Sequence, residues 1–295
     1  MRLTPAANRL FFQFFGLSAP GFLRAGLLVF LSAAFLGGSS PSWAQTSTGN
    51  GQATVLGQVV NANVGTTPLR TVLLTGNATV YSASGQTSGA ITLRAFFHKS
   101  SAVELDLPSG VQREIRNGTG IYPSRAWTGP DGVQHSGPLS DLKLPHPAWF
   151  FPSFVLLSGL ASPHYWCADL GAETWQGVSV RHIAIWQRVP SNLPAPAAAI
   201  ARQQTQTDFY LDPTTFLPVA MTFHANINPQ YPYEVFPLST TSGDTLVQVS
   251  FSNYQAVQGR QIPFSIQVLN GNSQVMSIQI SSATVDGGQT PAVSN

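Results

Sequence analysis

The sequence predicts a mainly β, antiparallel domain of roughly ten to twelve strands, and three observations carry that prediction. Apolar residues alternate with polar ones at a period of two, in run after run. Such a pattern puts one face of a strand in a core and leaves the other wet. Turn-forming residues (Gly, Pro, Asn, Asp) recur between the runs at short, regular spacing, the rhythm of hairpin-connected folds. One long apolar stretch, residues 144–161, interrupts the rhythm. A barrel and a sandwich both satisfy these observations.

Residues 1–44 read as an export signal. Arg2, Arg9 and Arg24 precede an apolar run at 26–36, and small residues then lead to Ser42-Trp43-Ala44. That order fits cleavage between Ala44 and Gln45. An uncleaved anchor is the alternative, but the run is shorter than the ~20 residues that a span requires. No cysteine stands at the cleavage point, and the arginines are not twinned. Residues 45–69 then read as a polar tether followed by a short element at 55–64, where helix and strand are both compatible with the sequence.

A single β domain is expected over 70–286. Val72, Leu74, Ala78 and Val80 share one face, as do Ile91, Leu93, Ala95 and Phe97, and then Val103, Leu105 and Leu107. Ser84-Gly85 and Ser88-Gly89 read as breaks. Residues 111–117 are polar enough for an edge or rim strand, and Gly129-Pro130-Asp131-Gly132 closes a hairpin. Residues 165–189 read as two strands joined at Gln176-Gly177, and 197–204 as a short Ala-rich helix. Asp212-Pro213, Gln258-Gly259 and Asn270-Gly271 each mark a hairpin near the C-terminus. The last residues, 287–295, read as a disordered tail.

Within the apolar interruption, Pro152 suits the first turn of a helix starting near Phe151 and ending near Gly159. The segment is apolar nearly all round. Two readings stay open. Trp149, Phe150, Phe151, Phe154, Leu157 and Leu160 either plug an open sheet or cover an apolar cavity as a lid.

Charge and motifs narrow the function classes. The chain has 14 Lys+Arg against 12 Asp+Glu, but three of the arginines lie in 1–44. The remainder is near neutral, about −1, with no basic patch for a nucleic-acid partner. The one cysteine, Cys167, excludes an internal disulfide framework and reads as buried and inert. Of the six histidines, only His164 stands near Cys167 at anything like ligand spacing. His98 and His224 fall on polar strand faces. No nucleophile elbow, phosphate loop or dinucleotide fingerprint is present. The carboxylates Glu104/Asp106 read as a solvated face, and Asp212 as a turn former. No metal, cofactor or catalytic residue is expected.

The C-terminal motifs also carry a family resemblance. LDPTTFLP at 211–218, then FSNY at 251–254 and AVQGRQIPF at 256–264, followed by a last amphipathic strand, resemble periplasmic outer-membrane lipoprotein carriers of the LolA/LolB type. The likeness extends more weakly back to about Arg70. It implies an incomplete antiparallel β-barrel with a few short helices covering the open side, and it favours helix at 55–64. It further implies a non-enzymatic periplasmic carrier or sensor that binds a lipid or a lipoprotein acyl chain, with transient membrane or envelope-protein contact. The alternatives are an envelope interaction module with a self-filled cavity, or a metal-dependent hydrolase. The sequence leaves the oligomeric state open.

Overall fold

The computed structural model describes residues 50–64, 70–97, 100–117, 124–128, 132–138, 148–226 and 244–286. The expected export signal, His98, His146 and the tail at 287–295 lie outside them. Helix α1 spans Asn50–Val64. Six strands follow, β1 (Thr71–Ser82), β2 (Gly85–Phe96), β3 (Ser100–Leu107), β4 (Gly110–Asn117), β5 (Ser124–Thr128) and β6 (Gln134–Pro138). Helix α2 (Pro152–Ala161) precedes β7 (Tyr165–Trp175) and β8 (Val178–Gln187), and α3 (Ala195–Thr205) comes next. The chain then builds β9 (Thr207–Leu211), β10 (Pro218–Asn226), β11 (Asp244–Val257), β12 (Arg260–Asn270) and β13 (Ser273–Val285).

Among the described residues all thirteen strands form one antiparallel sheet, in the order β6-β5-β4-β3-β2-β1-β13-β12-β11-β10-β9-β8-β7. The sheet is open, because β6 and β7 are its two edges. The fold is therefore the expected open antiparallel sheet with short helices, with thirteen strands in place of ten to twelve. Every other pair of consecutive strands is hydrogen-bonded side by side. Only β6 to β7 is not, so the chain joining them must pass from one edge of the sheet to the other. That connection carries α2, and α2 is buried in the core formed by one sheet face.

The alternation read from the sequence is the alternation seen. Ile262, Phe264, Ile266 and Val268 of β12 are buried, as are Met276, Ile278 and Ile280 of β13, while Gln267 and Gln279 are exposed. At the β11–β12 hairpin Gln258 and Gly259 have φ of 49° and 77°, the double positive φ of a type I′ turn. Gln176 and Gly177 repeat the pattern between β7 and β8. Asp212 caps its own turn, its Oδ1 accepting from the N–H groups of Thr214 and Thr215 and from the Thr215 hydroxyl. The hydrogen bond from Thr215 N–H leads the effects that hold its carboxyl below the ordinary aspartate range, against partial burial.

Three expectations are corrected. Ser88-Gly89 does not break a strand, because β2 runs straight through it. A Cβ on Gly89 would sit 1.8 Å from the Asp106 carbonyl oxygen, so this glycine lets β2 and β3 approach closely. Residues 111–117 are not an edge, because β4 pairs with both β3 and β5. Two of its polar residues, Glu114 and Arg116, are buried. Helix α2 continues past Gly159 to Ala161, and the stop is Pro163, which holds Ser162 extended at φ −90°, ψ 130°. At 55–64 the helix favoured by the resemblance is the one seen, within α1 and despite several β-branched residues, with Val59 and Asn63 on one buried face. Tertiary burial outweighs local propensity there.

The two kinds of glycine predict different penalties. Gly259→Ala meets no atom within 4 Å and strains only the backbone at φ +77°, for a loss of about 1–2 kcal/mol. Gly89→Ala must push β2 and β3 apart, and about 3 kcal/mol is expected. Urea denaturation midpoints should fall in that order, and equal shifts would contradict the close approach.

Candidate functional site

The core face of the sheet is a continuous apolar floor. One row of cross-strand neighbours runs Ile183, Phe209, Met221, Val249, Val268, Met276 and Val80, from β8 to β1. All but Val80 are buried. A second row runs Leu74, Leu93, Val103, Glu114, Trp127 and His135, from β1 to β6. It begins aliphatic and turns polar at β4. The inner face thus has a long apolar part and a charged end.

Ala148–Phe150 turn the chain onto the floor, with Phe151 N–H donating to the Ala148 carbonyl at 2.8 Å. Phe151 has no capping side chain, and Pro152 takes the first helical position, where a missing N–H goes unnoticed. Trp149, Phe150, Phe151, Phe154 and Leu157 are all buried, and Leu160 packs half-buried against the same core. Phe154 meets Phe151 edge-on at 4.9 Å and Phe97 at 5.2 Å. Five of the six expected residues, Trp149, Phe150, Phe151, Phe154 and Leu160, therefore join the core on the inner face, and Leu157 is buried outside that cluster. The helix buries every side, so it shows no polar stripe to orient it.

One polar junction ties this segment down. The Ser153 hydroxyl donates to Asn63 Oδ1 at 2.8 Å, and Asn63 Nδ2 donates to the carbonyls of Val59 (2.9 Å) and Phe216 (3.1 Å). Asn63 and Ser153 are both buried. A single asparagine thus links α1, α2 and the β9–β10 turn. Neither residue was singled out in the sequence. Asn63 stands four residues after Val59, and that spacing is the only signal that could have found it. On the floor beneath, the Thr207 hydroxyl is buried without a hydrogen-bond partner beside its cross-strand neighbours Ile185 and Phe223.

The opposite face carries the other titratable cluster. His182 Nε2 lies 2.9 Å from Asp208 Oδ1, and its Nδ1 lies 3.2 Å from Glu173 Oε1. Burial lowers the His182 pKa, but the Asp208 hydrogen bond and the two carboxylate charges outweigh it and leave the imidazole above its ordinary value. Trp175 stacks on Tyr210 beside it. Asp169 pairs with Arg181, and Arg202 of α3 covers Trp186. These residues clamp β7, β8 and β9 to one another. Each nitrogen of His182 is engaged, and among the described residues no group of three His, Cys, Asp or Glu side chains could hold a metal ion. Cys167 is half-buried, not fully buried as expected. Burial first, and then the Asp169 charge, push its thiol up to about 12, which leaves it unreactive.

The charged end of the floor was not legible beforehand. Arg116 Nε donates to Glu114 Oε1 at 2.7 Å, and Arg125 reaches the same oxygen at 4.0 Å. The Arg125 guanidinium lies 4.3 Å from the centre of the Trp127 ring, and His135 stacks on Trp127 at 5.4 Å. Seeing this group needs the strand register, which the sequence alone does not supply.

No family model and no curated protein matches the chain. Solved structures do. A DUF1329 family protein from Desulfovibrio piger superposes with a TM-score of 0.51 at 9% identity, over 81% of this chain and 94% of that one. A LolA superfamily protein from Nitrosomonas europaea gives 0.47 at 11% identity, over 79% and 93%. The likeness to the Desulfovibrio protein is one of fold. The open sheet with short helices is the architecture that the LolA-like turn motifs implied.

Removing the Asn63–Ser153 junction should loosen α2. Asn63→Ala leaves a buried hydroxyl and a carbonyl without partners and is expected to lose about 2–3 kcal/mol, and Ser153→Ala about 1 kcal/mol. In urea denaturation the double variant should lose less than the sum, as coupled partners do. Strict additivity would show that the junction does not act as a unit.

Proposed function

We propose that the protein is a non-enzymatic carrier or sensor of an apolar ligand, a lipid or the acyl chain of a lipoprotein. It works in the periplasm as a mature chain starting at Gln45. The observation that carries this reading is the pairing of an apolar sheet face with a crossing segment that is apolar on all sides. Helix α2 is buried on that face, and a ligand would take its place there. Trp149, Phe150, Phe151, Phe154, Leu157 and Leu160 form the lid, and they exchange contacts on the floor for contacts with the guest.

The exchange is energetically reasonable. A buried acyl chain gains about 0.8 kcal/mol per CH₂, and each displaced aromatic or aliphatic side chain gives up about 1.5–3 kcal/mol of burial. A chain of a dozen or more methylenes can therefore replace several of them. A helix without a polar face does not stand free in water. Once displaced it must cover the guest or meet a membrane or envelope partner, which gives such a protein a reason to open only near its cargo. The outer-face histidine network and the turn-forming Asp212 are structural in this reading, and no residue acts as a nucleophile or general base.

Full burial of α2 also suits a self-filled interaction module, and binding separates the two. A fluorescent fatty acid such as cis-parinaric acid should bind the wild-type protein. Phe151→Ser and Phe154→Ser should weaken that binding about tenfold while the β-sheet circular dichroism stays unchanged. Wild-type protein that binds no acyl probe, with variants that lose only stability, would replace the carrier by the self-filled module.

A further inference from the structure

Resting on the carrier reading, we propose that the β4–β6 end of the inner face is a headgroup subsite. It takes the anionic group, carboxylate or phosphate, of an amphiphile whose acyl chain lies on the apolar floor. The row from Leu93 through Val103 to Glu114 and Trp127 changes character between two neighbouring strands. Adjacent strands lie ~4.8 Å apart, so Trp127 stands roughly 15 Å from Leu93 across the sheet. One extended chain spans that distance with its headgroup at the charged end.

The chemistry at that end is rich in donors. Arg116 and Arg125 converge on the single Glu114 oxygen, and Arg125 and His135 both stack with Trp127. Arg116, Arg125 and His135 make further interactions within the chain, so the unmet donor is the indole. Trp127 is only 4% exposed, and its Nε1–H is buried with no hydrogen-bond partner. A buried indole N–H normally finds an acceptor, and leaving one without is costly. An anionic oxygen would supply it, and arginine guanidinium beside it suits carboxylate and phosphate geometry. Glu114 and Trp127 stand in a row where β1 to β3 carry the aliphatic Leu74, Leu93 and Val103.

The test compares cis-parinaric acid with its methyl ester at pH 7.5, on the full mature chain. The wild type should bind the acid about tenfold more tightly than the ester, as one charge-assisted contact supplies. Trp127→Phe keeps the ring and removes the N–H, and Arg125→Gln removes a charge while leaving the Arg116–Glu114 pair. Each should bring the acid down to the ester's affinity and leave the ester unchanged. If Trp127→Phe does not fold, Arg125→Gln decides, with Arg125→Lys retaining part of the preference. Equal wild-type affinity for acid and ester, or variants that weaken both alike, overturns the subsite and leaves the carrier reading standing. No binding of either probe overturns the carrier reading and this one with it. Inorganic phosphate separates the sources. Displacement of the acid alone supports the subsite, whereas phosphate binding without any preference for acid over ester marks a free-anion site and overturns the headgroup assignment.

Discussion

The structure depends on a topological constraint, the passage of the chain from one edge of an open sheet to the other. Strands β6 and β7 follow each other in sequence yet sit at opposite edges. A sheet with one apolar face and no second sheet to cover it must bury that face against something else. The crossing segment is the material at hand. Its aromatic composition, its turn at Ala148–Phe150 and its proline-led helix follow from lying on that floor. The two halves of the sheet then meet at β1 and β13, whose bulge at Thr75/Gly76 brings the strands within a distance only glycine allows.

How tightly the crossing segment is held decides what the fold can do. Helix α2 is fixed by dispersion and apolar burial, which another apolar surface can replace, and by one hydrogen-bonded junction through Asn63, which it cannot. The sheet is held differently, by ladders, type I′ turns and cross-strand ion pairs such as Arg113–Glu104 and His182–Asp208. None of these is disturbed if α2 leaves. In the carrier reading, a rigid sheet under a replaceable cover would accept guests of variable shape along the aliphatic part of the floor, with polar selection confined to the β4–β6 end.

Much of this was legible in the sequence, and for a reason. The period-two pattern on β1, β2, β11, β12 and β13 follows from one buried face, and Gly259 and Asp212 follow from local turn geometry. Properties that depend on register were not legible. Gly89 looked like a break because a glycine needed for close approach and one needed for a turn are the same letter. Strand β4 looked like an edge because its inward residues are Glu114 and Arg116, and inward charge reads as exposure until a neighbouring strand is placed beside it. His182, Asp208 and Glu173 are far apart along the chain and meet only across three paired strands. The six aromatic and aliphatic residues around α2 were recognisable as a group, but whether they plug or cover is a matter of free-energy difference, which composition does not encode.

The central claim is that α2 and an apolar guest compete for the same floor. Hydrogen–deuterium exchange of the α2 amides, with and without a saturating acyl probe, tests it most directly. The account predicts that the probe speeds exchange across residues 152–161 while the amides of β11 to β13 stay as protected as before. Exchange in α2 that is unchanged by the probe, and that occurs only with global unfolding, would show the helix to be a permanent part of the core and contradict the claim.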